Sequence, residues 1–327
     1  MRRILILGLL LFCSSGAFGA DQRHTVLMLL YRSATEAERG FMEYLKSRVR
    51  VDFVIRDAGA DRSRIAEFVA EAKLMRPSLI YAFGTTIALD VVGAVGKVDP
   101  ARHITDIPVV FNIVADPVGA GLAPAFAATG RNLTGVSHLV PMVTQLKTIQ
   151  RMKPLKKLGV VYNPHEANSV LAVRELRQQA DALRFELVEA PLSVAQGQKP
   201  APHEIARAMQ RLIEARPDFV YLPSDSSLIQ QAAAIIEPAS GAGLPVVSAT
   251  EAPIRQHGAL MGLVSSYYNA GTYAGYMAEQ ILTGKRTTGS IPVDTLQRFT
   301  FLMNMKTAAQ LGMYPPLDVV PIAELLH

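Results

Sequence analysis

The feature that most constrains the fold is an alternation of short apolar runs with helical patterns. Residues 156–183 (KKLGVVYNPHEANSVLAVRELRQQADAL) hold one copy: an apolar run, a polar turn, and a helical pattern that opens at Ser169. A strand that leads through a turn into a helix is half of a βαβ unit. Similar apolar runs occur at residues 24–31, 51–56, 79–83, 107–114, 218–222 and 244–248. Because they are continuous rather than alternating, they predict parallel strands covered on both faces.

The number of predicted strands favours two sheets over one. About ten strands are natural for two doubly wound sheets of about five each, and the pattern restarts after residues 139–141. The predicted fold class is therefore α/β, with two doubly wound, Rossmann-like lobes, each built on a mostly parallel sheet. A helix rich in small residues (267–284) and one further strand (299–304) come last, which predicts that the chain crosses back. The predicted first lobe comprises residues 21–138 and 262–292, and the second 139–261 and 293–327.

The N-terminus has the pattern of a secretory signal. Arg2 and Arg3 precede a short apolar run, which passes into small residues that end at Ala20. This pattern predicts a cleavable signal peptide at residues 1–20 and a periplasmic location. The single cysteine, Cys13, lies in this segment. The mature chain is therefore expected to have no disulfide, thiolate metal site or cysteine nucleophile.

Charge and motif patterns argue against several functions. The formal net charge is +5, but the basic residues are scattered, whereas a nucleic-acid groove needs a concentrated stripe. The seven histidines have no HxxxH spacing, no GxGxxG follows the first strand, and no GxSxG is present. We therefore predict no nucleic-acid partner, metal, cofactor or enzymatic activity. A hydrolase that uses His138 or His165 in a spatial triad remains the alternative.

Polar turns follow four of the predicted strands, at residues 32–36, 83–86, 163–169 and 224–227. Ligands of open α/β sheets bind at these strand ends. Helix capping alone explains any single turn, but turns in both halves predict two polar surfaces that face each other. Helix N-termini favour a carboxylate, and Asp116, Glu166 and Asp225 suit an ammonium group, so an amino acid is the simplest ligand.

The predicted ligand-binding residues share a position at or beside these turns. They are Arg32, Ser33, Thr85, Thr86, Asp116, Asn163, Glu166, Asn168, Ser169, Asp225 and Tyr267. Nearby aromatic residues that could wall the pocket are Tyr31, Phe83, Tyr162, Tyr267 and Tyr268.

Several segments have the character of family motifs. They are VVFNIVADPV at 109–118, NLTGVS at 132–137, and LGVVYNP at 158–164 with Glu166, Asn168 and Ser169. Together they resemble the ABC-transporter substrate-binding proteins that include tryptophan and tyrosine/phenylalanine binders. The resemblance implies a type I periplasmic-binding fold that clamps its ligand by hinge closure. It also implies Thr85, Thr86, Asp116, Asn163, Ser169 and Asp225 as pocket residues. Family members often have a His-Pro segment at the first turn, where this chain has YRSATE at 31–36, and Arg32 favours a more acidic ligand.

The predicted function is that of a monomeric periplasmic solute-binding protein of an ABC importer. It captures a small carboxylate-bearing solute, most simply an amino acid, and delivers it to a permease in the inner membrane. Two alternatives stay open: a ligand-sensing subunit for a membrane receptor, and the exported hydrolase.

Overall fold

A computed structural model describes residues 23–327, so the predicted signal peptide lies outside the described residues. Within this range the strands are β1 (His24–Leu30), β2 (Val51–Asp57), β3 (Leu79–Phe83), β4 (Val109–Val114), β5 (Leu133–Ser137), β6 (Lys157–Tyr162), β7 (Glu186–Pro191), β8 (Phe219–Leu222), β9 (Val246–Ser248), β10 (Met261–Val264), β11 (Asp294–Thr295), β12 (Thr300–Asn304) and β13 (Ala323–Leu326). The α-helices are α1 (Glu36–Lys46), α2 (Ile65–Met75), α3 (Gly84–Val92), α4 (Met142–Met152), α5 (Ala167–Leu183), α6 (Pro202–Ala215), α7 (Ser226–Ile229), α8 (Ala233–Gly241), α9 (Glu251–His257), α10 (Tyr267–Leu282) and α11 (Met305–Leu311). None of the helices in this range has the length and apolar character needed to cross a bilayer.

The strands form two sheets, as the sequence predicts. The first has the order β2-β1-β3-β4-β5-β11, and all of its pairs are parallel. The second has the order β7-β6-β8-β9-β10-β12-β13, and only β10 with β12 is antiparallel. The strand order reverses at β1 and β3 in the first sheet and at β6 and β8 in the second. Loops diverge at such switch points and leave a crevice at the strand carboxyl ends.

The chain passes between the sheets three times. It crosses after β5, after β10 and after β11, because α4 and β12 belong to the second sheet's lobe and α10 packs on β4 and β5 of the first. Two predicted boundaries need correction. Residues 262–264 pair within the second sheet, and Asp294–Thr295 pair with β5 in the first. A short apolar run does not reveal which sheet it joins, because only its pairing partner decides that.

Helix α10 is held in the first lobe by close contact with α1. A side chain on Gly271 would clash with the carbonyl oxygen of Ala37, and one on Gly40 with that of Tyr268. The small residues predicted to allow close packing therefore do so at this helix pair. The pair covers one face of the first sheet, where Val26, Met28 and Tyr81 are buried with residues of α1 and α10.

Candidate functional site

The carboxyl ends of the two sheets face each other across a narrow cleft. Tyr31 follows β1 in the first lobe. Burial, and next the charges of Glu166 and Asp225 in the second lobe, raise the pKa of its hydroxyl. At the end of β5, Nε2 of His138 lies 3.2 Å from the hydroxyl oxygen of Ser224, which follows β8. The polar turns of the two halves therefore share one cleft.

Asp225 joins two turns of the second lobe. Its Oδ1 accepts hydrogen bonds from the N–H groups of Ser227 (3.1 Å) and Leu228 (3.0 Å) and from the Ser227 hydroxyl (2.7 Å). Its Oδ2 accepts from the N–H of Asn163 (3.1 Å) and the hydroxyl of Ser169 (2.5 Å). Asp225 and Ser169 are both fully buried. The carboxylate expected to receive an ammonium group instead ties the turn after β6 to the turn after β8.

Glu166 lies beside Asp225 and is also buried. Burial, and next the charge of Asp225, raise the pKa of Glu166 well above its ordinary value. Its Oε1 accepts a hydrogen bond from the N–H of Ser226 at 2.7 Å. A carboxyl group with a raised pKa is neutralised more readily than an ordinary glutamate, and a neutral carboxyl is a poor counter-ion for ammonium. The surroundings of Glu166 therefore do not favour its predicted role.

Other predicted residues use a side-chain oxygen to hold a backbone turn, as capping and Asx contacts do. The contacts are Thr85 Oγ1 with the N–H of Ala115 (3.4 Å), Asp116 Oδ1 with the N–H groups of Val118 (3.1 Å) and Gly119 (2.8 Å), and Asn163 Oδ1 with the N–H of His165 (2.9 Å). Thr85 and Asn163 are buried, whereas Thr86 and Asp116 are half-buried. Capping therefore accounts for much of what these side chains do.

Five buried polar atoms in the described range have no hydrogen-bond partner, and all lie on segments that follow strands at the cleft. They are Arg32 Nε, His138 Nδ1, Asn168 Oδ1, Gln230 Oε1 and Thr250 Oγ1. These segments come after β1, β5, β6, β8 and β9. An unpaired buried polar atom costs about 1–3 kcal/mol and is rare in native proteins. Both lobes contribute such atoms, and Arg32 Nε and Gln230 Oε1 belong to residues that line one cavity from opposite lobes.

Two cavities open where the lobes meet. One, of about 440 Å³, is lined by Arg32, Ser33 and Tyr267 from the first lobe and by Gln230 and Glu251 from the second. The other, of about 580 Å³, is lined by residues that include Asp116 and Asn168. The predicted residues that line neither cavity are Thr85, Thr86, Asn163, Glu166, Ser169 and Asp225.

The contact between His138 and Ser224 lacks the features of a hydrolytic triad. Burial lowers the pKa of the His138 imidazole to about 4, so the ring is a weak base at neutral pH. Its Nδ1 has no hydrogen-bond partner, whereas a triad histidine is oriented by a carboxylate at that atom. His165 is exposed. Within residues 23–327, no group of three or more His, Cys, Asp or Glu side chains is placed to hold a metal ion.

Three cleft residues with unpartnered atoms, His138, Gln230 and Thr250, were not among the predicted ligand-binding residues. Thr250 follows β9 much as Asn163 follows β6, so the same strand-end rule could have identified it. Gln230 lies just after the four-residue helix α7, and no local sequence pattern marks that position.

Known proteins resemble this chain over most of its length. It is 28% identical over 292 residues to a tyrosine-binding protein of Clostridioides difficile strain R20291. That alignment covers 86% of this chain and 78% of the relative. A conserved domain protein of Vibrio cholerae superposes with a TM-score of 0.82 at 25% identity and covers 93% of this chain and 99% of its own. An ABC domain from Streptococcus pneumonia in complex with L-Trp gives a TM-score of 0.80 at 22% identity, with 92% and 100% covered.

A known family matches most of both lobes. The family described as ABC transporter substrate binding protein matches residues 31–324, which include every strand from β2 to β12. The family is one of binding proteins and not of enzymes. Two α/β sheets joined by three crossings, with facing polar strand ends, are the fold expected from the resemblance noted above. The chain belongs to the ABC transporter substrate binding protein family.

Proposed function

We propose that this protein captures a small solute in the periplasm for an ABC importer, and that the solute is an amino acid held between the two lobes. The observation that carries this proposal is the set of five unpartnered polar atoms at the cleft, to which both lobes contribute. A guest that touches both lobes favours their closed arrangement, because only such a guest has differential affinity for the open and closed states.

The chemistry of the unpartnered atoms suits a solute with both donors and acceptors. Arg32 Nε is a donor, whereas Asn168 Oδ1 and Gln230 Oε1 are acceptors. Arg32 and Gln230 line the same cavity from different lobes. An amino acid offers a carboxylate to the first kind of group and an ammonium to the second.

Aromatic side chains favour an amino acid with a ring. Tyr267 lines the cavity of about 440 Å³, and Phe126 and Phe299 line the cavity of about 580 Å³. The relatives noted above include a tyrosine-binding protein and an ABC domain solved with L-Trp. Tyrosine and tryptophan are therefore the first ligands to test.

A thermal-shift screen tests capture directly. The refolded chain from residue 21 onward is heated with each of the twenty L-amino acids, and with dipeptides, purines and small carboxylates. Ligand at 100 times its dissociation constant stabilises a protein by about 2.7 kcal/mol, which is a readable rise in Tm. We expect a rise with tyrosine or tryptophan. No rise with any amino acid would overturn the proposed ligand class.

An uptake experiment tests the role in import. Cells that lack this protein should take up the radiolabelled ligand more slowly. Expression of the full chain, including residues 1–20, should restore uptake, and the protein should then be found in the periplasmic fraction. Restoration by a chain without residues 1–20 would contradict the periplasmic location. Normal uptake in the deletion strain, with loss of a transcriptional response to the ligand, would indicate the sensing role instead.

A further inference from the structure

Arg32 is a buried cation without a counter-ion. Its side chain follows β1 and is 7% exposed. Its Nε has no hydrogen-bond partner, and no carboxylate of residues 23–327 forms an ion pair with it. A buried charge is costly unless it is paired, so this position is unfavourable until an anion arrives.

The ring of Phe83 lies beside the guanidinium of Arg32. The Cζ atom of Arg32 lies 5.0 Å from the ring centroid of Phe83, within the range of a cation–π contact. A cation–π contact does not use the N–H groups as hydrogen-bond donors to an anion, so they stay available for one. An arginine edge matches a planar carboxylate with two parallel hydrogen bonds.

Glu38 is a buried carboxylate whose pKa is affected by the charge of Arg32, but its oxygens already accept hydrogen bonds from other residues. It accepts hydrogen bonds from the hydroxyl of Tyr81 (2.5 Å) and from the N–H (2.7 Å) and hydroxyl (2.8 Å) of Thr35. Burial raises the pKa of Glu38, and the charge of Arg32 is the smallest of the effects that oppose this. Glu38 therefore holds the start of α1, and its hydrogen bonds go to Thr35 and Tyr81 rather than to Arg32.

We propose that Arg32 binds the carboxylate of the captured solute and selects for solutes that carry one. This inference rests on the proposed function and names the anionic end of its ligand. Arg32 lines the cavity of about 440 Å³ that Gln230 enters from the second lobe. A carboxylate on Arg32 thus brings the rest of the solute against the second lobe, and the solute charge replaces the missing counter-ion.

The test compares an amino acid with its carboxamide, which keeps the size and the ammonium group but loses the negative charge. Titration calorimetry is run with L-tyrosine and L-tyrosinamide, and with L-tryptophan and L-tryptophanamide, on the wild type, Arg32→Gln and Arg64→Gln. Arg64 is the matched control, because its guanidinium also packs on a ring, that of Phe68 at 5.4 Å, but it is exposed and lines neither cavity between the lobes. Both variants lose one positive charge, and only Arg32→Gln loses it from the cavity.

We expect the wild type and Arg64→Gln to bind the acid about 100-fold more tightly than the amide. Charge-assisted pairs discriminate on that scale. In Arg32→Gln the acid should lose about 100-fold in affinity and the amide less than about 3-fold, so that the preference disappears.

Two results would overturn the inference and leave the proposed capture of amino acids intact. One is a preference for the acid that survives in Arg32→Gln. The other is an equal loss of affinity for the acid and for the amide, which indicates a structural role of Arg32. If Arg32→Gln does not fold, the wild type decides alone, because equal binding of acid and amide contradicts a carboxylate anchor. Failure of the proposed function is a different result, since the wild type would then bind no amino acid at all.

Discussion

The imidazole of His138 and the hydroxyl of Ser224 are 3.2 Å apart and belong to different lobes. His138 stands at the first crossing of the chain, where the ring of Tyr267 meets it edge-on at a centroid distance of 5.6 Å. The second crossing is tied to the same place, because the hydroxyl of Ser265 donates a hydrogen bond to the carbonyl oxygen of His138. A contact that begins at the first crossing and reaches into the second lobe stabilises the arrangement of the lobes in this structure; under the proposed capture between lobes, this is the closed arrangement.

Ser224→Ala should therefore favour the open state. A net hydrogen bond contributes about 0.5–1.5 kcal/mol, so we expect ligand affinity to fall about 2- to 10-fold and the radius of gyration of the ligand-free protein in small-angle scattering to increase. Ser226→Ala removes a neighbouring hydroxyl that has no such contact with His138. An unchanged affinity and radius in Ser224→Ala would show that the contact does not contribute to closure.

Asp225→Asn should lower the stability of the ligand-free protein. Both carboxylate oxygens of Asp225 accept hydrogen bonds from N–H or O–H groups. The amide nitrogen of asparagine is itself a donor, so at one of these positions it would face donors and accept none of their hydrogen bonds. We expect a loss of about 2–4 kcal/mol in the free energy of unfolding, measured by urea denaturation. Asp181→Asn, at an exposed position of α5, should change it by less than about 0.5 kcal/mol. Loss of ligand affinity without loss of stability would instead support the direct contact that the sequence suggested.

Glu166→Gln should become more stable than the wild type as the pH rises. The folded-state pKa of Glu166 is raised by burial and by Asp225. The stabilisation from holding the proton is therefore complete below the unfolded pKa of about 4.3 and is lost as the pH rises towards the folded pKa. Glutamine stays neutral, so unfolding free energies of the two proteins should diverge above that pH.

Glu71→Gln is the control with the opposite sign. Arg56 lowers the pKa of Glu71, so its stabilisation is present above the unfolded pKa and is lost as the pH falls. A difference between Glu166→Gln and the wild type that does not depend on pH would contradict a retained proton on Glu166.

Asn168→Ala should weaken ligand binding without a cost in ligand-free stability. The Oδ1 of Asn168 is buried without a hydrogen-bond partner. Its removal therefore abolishes the desolvation cost of that atom in the ligand-free protein, and it also removes an acceptor for the ligand. We expect a drop in affinity of about 10-fold and an unchanged or higher Tm of the ligand-free protein.

The matched change for this position is Asn132→Ala. The amide of Asn132 donates to the carbonyl oxygens of Ile104 (3.0 Å) and Ile107 (2.8 Å). This variant should lose stability and keep its ligand affinity. A fall in Tm for Asn168→Ala equal to that for Asn132→Ala would assign Asn168 a structural role.

Some of the site could be predicted from the sequence because its rules are local. A polar residue after an apolar run predicts a turn at a strand end, and Arg32 and Asn168, both predicted in this way, lie after β1 and β6 with a buried atom that has no hydrogen-bond partner. The same rule could not tell a ligand contact from an internal bond. Asp225 and Ser169 have the residue types of a binding site, yet the loop brought beside them by the pairing of β6 with β8 takes up their hydrogen bonds.

By itself, the sequence determined the class of the fold, since continuous apolar runs and helical periods depend only on neighbouring residues. It also determined the small-residue surface of α10, because glycine spacing is visible along the chain. Only the tertiary structure decided which sheet took β10 and β11, that burial raised the pKa of Glu166, and which buried atoms were left without partners. Those outcomes depend on residues that are distant in the chain and adjacent in space, where pairing, desolvation and competition for hydrogen bonds act together.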